Sequence, residues 1–177
     1  MNKKYSAFIA TSIDGFIAKS DGNIDWLHRD YGKLKEGEDC GFSHFMNNQD
    51  FLIMGRKTYE QVSSANEWPY SIPVGVLSSQ LIKGGKHAVD IFRSFEDVLN
   101  HINAQAYDFI YVDGGVTISR LLRLKLLNEI TITYIPVLLG KGYRLFSDLP
   151  NIDFATQLLQ SQTFLNGFVQ SHYKILY

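Results

Sequence analysis

One cysteine, Cys40, stands in a chain of 177 residues. No internal disulfide can form, and no metal site built on paired cysteines is available. The five histidines, His28, His44, His87, His101 and His172, show no metal-ligand spacing, so no metal is expected. Charge of one sign is also missing. A formal net charge of −1 argues against bulk attraction to nucleic acid or to an anionic membrane surface. No apolar run approaches the length of a membrane span. The opening MNKKYSAFIATSIDG has too short an apolar stretch, and no small-residue cleavage pattern, for a secretory signal. A reducing cytoplasm is the expected compartment. There is no Gly-x-Gly-x-x-Gly after the first strand-like run, which argues against an ordinary Rossmann dehydrogenase. Repeats, low-complexity segments and linkers are lacking too, so residues 1–177 read as one domain with a sizeable core.

What is present alternates between two periods. Short apolar runs suited to buried strands fall at residues 5–11, 51–54, 73–78, 109–112 and 129–135, with a further candidate at 87–92. Helical spacing falls between them, at residues 39–48, at 57–64 and from Gly115 to about Leu126. The clearest helix starts at Ser94. Asp97, three residues on, makes a variant capping box, and Phe95, Val98, Leu99 and Ile102 form one apolar stripe. That stripe leaves His101 on the exposed side. Residues 83–86 (KGGK) read as a turn, and Asn166-Gly167 between two strand-like runs predicts a two-residue hairpin. Residues 12–37 form a long, glycine-punctuated loop, of a kind that is often functional. The expected class is α/β: a mainly parallel sheet, helices on both faces, and an antiparallel C-terminal hairpin.

In open α/β sheets, ligands gather at the carboxyl ends of the strands. Three such ends carry groups suited to a phosphorylated cofactor. In FLIMGRKT, Gly55 lets the backbone approach an anion, and the first N–H groups of the helix favour one. Arg56 and Lys57 add charge where the helix dipole disfavours cations, and Thr58 adds a hydroxyl. Leu77-Ser78-Ser79-Gln80 ends another strand with two hydroxyls, and Gly114-Gly115 joins strand FIYV to a helix. Taken singly, each also fits an ordinary turn or an exposed helix start. Their combination in this order points to a dinucleotide.

The segments MGRKTYEQV, VLSSQ and VDGGVTISRLL, followed by ITITYIPV, resemble the dihydrofolate reductase superfamily in order and spacing over most of the chain. The resemblance implies a three-layer dihydrofolate reductase-like fold and NADPH as cofactor. It implies cofactor contacts at Gly55, Arg56, Lys57, Thr58, Leu77, Ser78, Ser79, Gly114, Gly115, Val116 and Ile118, with Ala10 and Ile17 close to the nicotinamide. It also makes Asp39 the general acid, in contact with substrate, and Thr133 its hydroxyl partner. A buried carboxyl with few charges nearby has a raised pKa and can donate a proton near neutrality. Asp39 reads equally as a helix cap.

The loop SIDGFIAKSDGNIDWL and the later PVLLGKGYRLF resemble more closely the reductase domain of the bifunctional riboflavin-pathway deaminase–reductases and their stand-alone relatives. Those enzymes reduce the ribose of a phosphoribosylamino-pyrimidine with NADPH. Their loop often continues Asp-Gly-Lys, where Phe16 stands here. The chain also lacks any proline before Pro69, unlike dihydrofolate reductases. Asp14, followed by Gly15, reads as a turn carboxylate. Trp26 either stacks on a planar substrate or anchors the loop. The resemblance thus implies an NADPH-dependent reductase of a pyrimidine- or pteridine-type substrate, with 5-amino-6-(5-phosphoribosylamino)uracil reductase-like activity foremost. A true dihydrofolate reductase, or a non-enzymatic nucleotide- or pterin-binding relative, are the alternatives. The riboflavin-pathway relatives are usually dimers, which the resemblance extends to this chain as an expectation. Phe164, Phe168, Tyr173 and Tyr177 offer surface for a homodimer or fill the monomer core.

Overall fold

The computed structural model describes residues 3–65, 67–80, 87–147, 149 and 153–177. The turn expected at residues 83–86 lies outside them. In chain order the elements are β1 (Lys4–Ser12), β2 (Phe16–Ala18), a 3-10 turn at Asp25–His28, α1 (Phe42–Met46), β3 (Phe51–Gly55), α2 (Arg56–Ser63), β4 (Val74–Leu77), β5 (Asp90–Phe92), α3 (Phe95–Ala104), β6 (Phe109–Asp113), α4 (Gly115–Arg123), β7 (Leu127–Ile135), β8 (Tyr143–Arg144), β9 (Ala155–Thr163) and β10 (Val169–Leu176).

Eight strands make one sheet in the order β5-β4-β3-β6-β1-β7-β10-β9. The pairs from β5 through β7 are parallel, while β10 runs antiparallel to both β7 and β9. The architecture is the α/β fold expected of a dihydrofolate reductase-like domain, mainly parallel with an antiparallel C-terminal edge. Alternation along β3 explains the layers. Phe51 and Ile53 face a core shared with α3 and α4, whereas Leu52 and Met54 face a second core with Met46 of α1 and Tyr59 of α2. A strand buried on both faces reads as a continuous apolar run, as FLIM does. Val98 and Ile102 on α3 are fully buried, each contributing about 1.5–3 kcal/mol relative to exposure.

The capping box of α3 is present in both directions, Asp97 N–H to the Ser94 hydroxyl and Ser94 N–H to the Asp97 carboxylate. Helix α4 stops at Arg123, short of Leu126. Lys125 N–H reaches Leu122 O, and Leu126 N–H reaches Leu121 O, with Lys125 in a left-handed conformation at φ 56°. This is a Schellman stop. Helix α3 ends in the same way at Ala106, φ 57°. Neither stop uses glycine, so the usual terminator is missing from the sequence. His101 is not outward-facing as expected: its ring packs 5.3 Å from Phe51 and 5.1 Å from Phe92, because α3 lies against the β3–β5 edge. The hairpin also differs. Phe164 N–H donates to Phe168 O, enclosing Leu165, Asn166 and Gly167, and only Gly167 has positive φ. That is a three-residue loop with glycine at its left-handed position.

Candidate active site

Helices α2 and α4 begin beside each other at the carboxyl edge of the sheet. Gly55 and Gly114 are their N-caps, and neither start is capped by a side chain. The first N–H groups of each helix therefore lack intrahelical partners and point outward. The two turns interlock. A Cβ at Gly114, which has φ 86°, would collide with the Thr58 hydroxyl, and one at Gly55 would lie 3.5 Å from Thr117 Oγ1. Gly115 is roofed over: a Cβ there would meet Ile17 Cδ1 and Leu145 O at 3.0 Å. The roof is the two-stranded ribbon β2–β8, which pairs Phe16 with Arg144 and Ala18 with Tyr143. Strands this short leave no periodic signal, so neither is predicted from sequence. So Gly55, Thr58, Gly114, Gly115 and Ile17 come together.

The cations are placed around this cradle. Lys57 Nζ lies 3.2 Å from the Tyr143 hydroxyl and 4.7 Å from its ring centroid. Arg56 pairs with Glu60 at 2.7 Å. Val116 is 76% exposed on the first turn of α4. Ile118 is a correction: its side chain is fully buried in the core and its N–H donates to Gly114 O, so it cannot touch a cofactor at the surface. Leu77 ends β4 half-buried. The Ser78 hydroxyl is 2.7 Å from Gln80 O, within its own turn, while Ser79 is exposed beside it.

The loop after β1 is organised by Asp14. Its carboxylate accepts from the Ser12 hydroxyl at 2.6 Å and from the N–H groups of Leu139 and Gly140 at 3.2 and 2.7 Å. Those donors hold the carboxyl below its ordinary range, in keeping with a turn residue. Arg144 stacks its guanidinium 4.5 Å over the ring of Phe16, which is buried. Trp26 is 0% exposed, so it anchors the loop and cannot stack on a substrate.

Asp39 does not occupy the environment expected of it. It is exposed, and its carboxylate accepts from Gly41 N–H at 3.0 Å and Ser43 N–H at 2.7 Å. Hydrogen bonds from Ser43 lead the causes that lower its pKa, the opposite of an acid poised near neutrality. The arrangement is a cap on the five-residue α1. Thr133 is buried on β7 beside Ala10 of β1, and its partner is Gln170, not Asp39. Gln170 donates to the Thr133 hydroxyl at 2.8 Å and to Cys40 O at 2.9 Å, while its own oxygen accepts from Gln162. Below this bridge, a cleft of about 630 Å³ opens between α1 and the β7–β10–β9 face.

A different carboxyl has the character sought. Asp113 ends β6 immediately before the two glycines, level with Met54 of β3. It is only partly exposed, and burial pushes its pKa up to about 6. One oxygen accepts from Gly114 N–H at 2.7 Å, the other from the Tyr70 hydroxyl at 3.2 Å. Its signal in the sequence is an acidic residue that closes a buried apolar strand directly ahead of Gly-Gly. Among the described residues, no three His, Cys, Asp or Glu side chains converge as a metal site, and no helix is long and apolar enough to cross a membrane.

Residues 4–170 match the family described as the RibD C-terminal domain. The uncharacterized protein YwjB of Bacillus subtilis (strain 168) is 34% identical over 155 residues, 85% of this chain and 87% of that one. YyaP of the same organism is 27% identical over 179 residues, 93% and 91% of the two chains. A solved protein of Shewanella sp. PV-4, provisionally named for riboflavin biosynthesis, superposes with a TM-score of 0.86 at 36% identity, over 98% of this chain and 99% of the other. The Thermotoga maritima deaminase/5-amino-6-(5-phosphoribosylamino)uracil reductase gives a TM-score of 0.69 at 14% identity, over 99% of this chain and 57% of that one, a likeness of fold alone. With two interlocked glycine turns on a dihydrofolate reductase-like sheet and a family match running nearly end to end, the chain belongs to the RibD C-terminal domain family.

Proposed function

We propose that the chain is an NADPH-dependent reductase of a pyrimidine-type heterocycle bearing a ribosylamino group, a riboflavin-pathway-like activity. The observation that carries this reading is the Thr58–Gly114 interlock, which fixes two uncapped helix starts side by side. Paired helix starts suit the two phosphates of a pyrophosphate. The residues fit such a group: glycine at both turns admits close backbone approach, and Lys57 stands beside them. For an adenosine 2′-phosphate, Arg56 would exchange Glu60 for the phosphate, with Ser79 alongside.

A bound reduced nicotinamide supplies the hydride. The chain does the remainder. Ile17 and the β2–β8 ribbon cover Gly115 and exclude water from that side. Asp113, with its pKa raised to about 6, can hold a proton at the strand end and exchange it with the ribosylamino group being reduced. Fixing both partners in one orientation lowers the barrier by several kcal/mol, on the order of 7 or more in favourable cases. The dihydrofolate reading loses support, because Asp39 is exposed and acidified. The reading also takes the enzyme as a cytoplasmic homodimer, for which the exposed Leu158 and Leu159 of edge strand β9 offer apolar surface.

The test is a side-by-side assay following loss of reduced-nicotinamide absorbance with the ribosylamino-pyrimidine phosphate and with dihydrofolate. Turnover of the former is expected. Turnover of dihydrofolate alone reverses the substrate assignment, and tight cofactor binding without turnover on either supports a binding protein instead.

A further inference from the structure

We infer that Tyr70 is a positioning residue for Asp113, holding that carboxyl in place and limiting its basicity; the inference rests on the reductase reading for its role in turnover. Tyr70 comes from the segment between α2 and β4. Its ring is packed edge-on against Trp68 at 5.2 Å and against Tyr111 at 6.4 Å, and its hydroxyl donates to Asp113 Oδ2 at 3.2 Å. Trp68 is in turn stacked on His87 at 4.2 Å and set against Tyr59 at 6.0 Å. The hydroxyl is therefore aimed by two aromatic neighbours, Trp68 and Tyr111, and Trp68 is itself held by His87 and Tyr59.

Proton counting separates the two tyrosines. Tyr111 has one hydroxyl hydrogen, and it is given to Phe8 O at 3.0 Å. Among the described residues Tyr70 has no such second acceptor, and burial raises its pKa far above the ordinary tyrosine value, so it stays a neutral donor. A donor to the carboxylate favours the charged form. Gly114 N–H, Tyr70 and Tyr111 all oppose the burial that raises Asp113, and of the two tyrosines Tyr70 is the one whose hydroxyl hydrogen is given to the carboxylate. The other groups around Asp113 do not substitute for Tyr70. Met54 of β3 is apolar, Thr58 of α2 is pressed against Gly114, Arg56 is tied to Glu60, and His87 lies beyond Trp68.

The experiment titrates aspartate carboxyl carbons by NMR in the cofactor-free protein, with Asp113 identified by the resonance lost in Asp113→Asn. In Tyr70→Phe, which keeps the ring, the Asp113 midpoint moves up by about one pH unit. Replacing Tyr70 by difluorotyrosine strengthens the donor without altering the fold, and the midpoint moves down. An unmoved midpoint in the difluorotyrosine protein overturns the inference, whether or not Tyr70→Phe folds. In turnover with NADPH, the pH at which the rate falls follows the same shifts while KM for NADPH stays constant. A rate loss with an unchanged pH profile reduces Tyr70 to a structural role and overturns the positioning one. Because the titration uses neither cofactor nor substrate, failure of the reductase reading leaves it intact.

Discussion

The hydroxyl of Thr58 occupies the space that any side chain at Gly114 would need. Two residues 56 positions apart thereby lock the start of α2 to the start of α4. Gly114→Ala must strain a backbone at φ 86° and also displace Thr58. A loss of about 1–3 kcal/mol in unfolding free energy is expected, read by urea titration, together with loss of NADPH binding. Wild-type stability in this variant contradicts the interlock.

Cofactor choice is predicted to rest on Arg56. Its guanidinium is exposed enough to leave Glu60 for a phosphate. NADPH should bind at least about tenfold more tightly than NADH, and Arg56→Ala should remove most of that difference. Lys57→Met, in contrast, should weaken both cofactors, since Lys57 stands by the shared pyrophosphate cradle. Comparing dissociation constants for the two cofactors in each variant checks both statements.

Asp113 makes stability depend on pH in a fixed direction. Its folded pKa of about 6 lies above the ordinary value of 3.8, so the folded chain binds the proton more tightly than the unfolded one. Unfolding free energy should decline as pH rises from about 4 to about 6 and then level off, by roughly 1–3 kcal/mol from this residue. Asp113→Asn should flatten that decline. Catalysis should follow the same group, with turnover falling as pH rises through 6, and little activity should remain in Asp113→Asn.

Asp39 should behave oppositely. Its folded pKa is lowered, so its contribution is present above the ordinary value of 3.8 and is lost as pH falls through the lower folded value. It is exposed and caps a short helix, and Asp39→Asn should cost less than about 1 kcal/mol and leave turnover near wild type. Loss of most turnover in Asp39→Asn, with Asp113→Asn active, would exchange the two assignments.

Local chemistry was readable wherever it used its customary residues. The Ser94–Asp97 box, the FLIM and FIYV strands and the glycine turns after them all declare themselves, because burial on both faces and caps leave direct marks in sequence. Helix ends at Ala106 and Lys125 did not, since the left-handed position is filled there without glycine. Tertiary placement was the other blind spot. Whether Trp26 faces a ligand or the core, and whether Thr133 meets Asp39 or Gln170, depends on how α1 and the loop settle on the sheet. Asp113 and Tyr70 are 43 residues apart, and only the fold brings them into hydrogen-bond range.

Isothermal calorimetry of the purified, folded chain with NADPH tests whether the two glycine turns hold a dinucleotide. Saturable one-site binding, abolished in Gly114→Ala and weakened in Lys57→Met, is the predicted result. No saturable heat with NADPH or with NADH, at protein concentrations that would detect micromolar affinity, contradicts the account of the two glycine turns as a dinucleotide cradle.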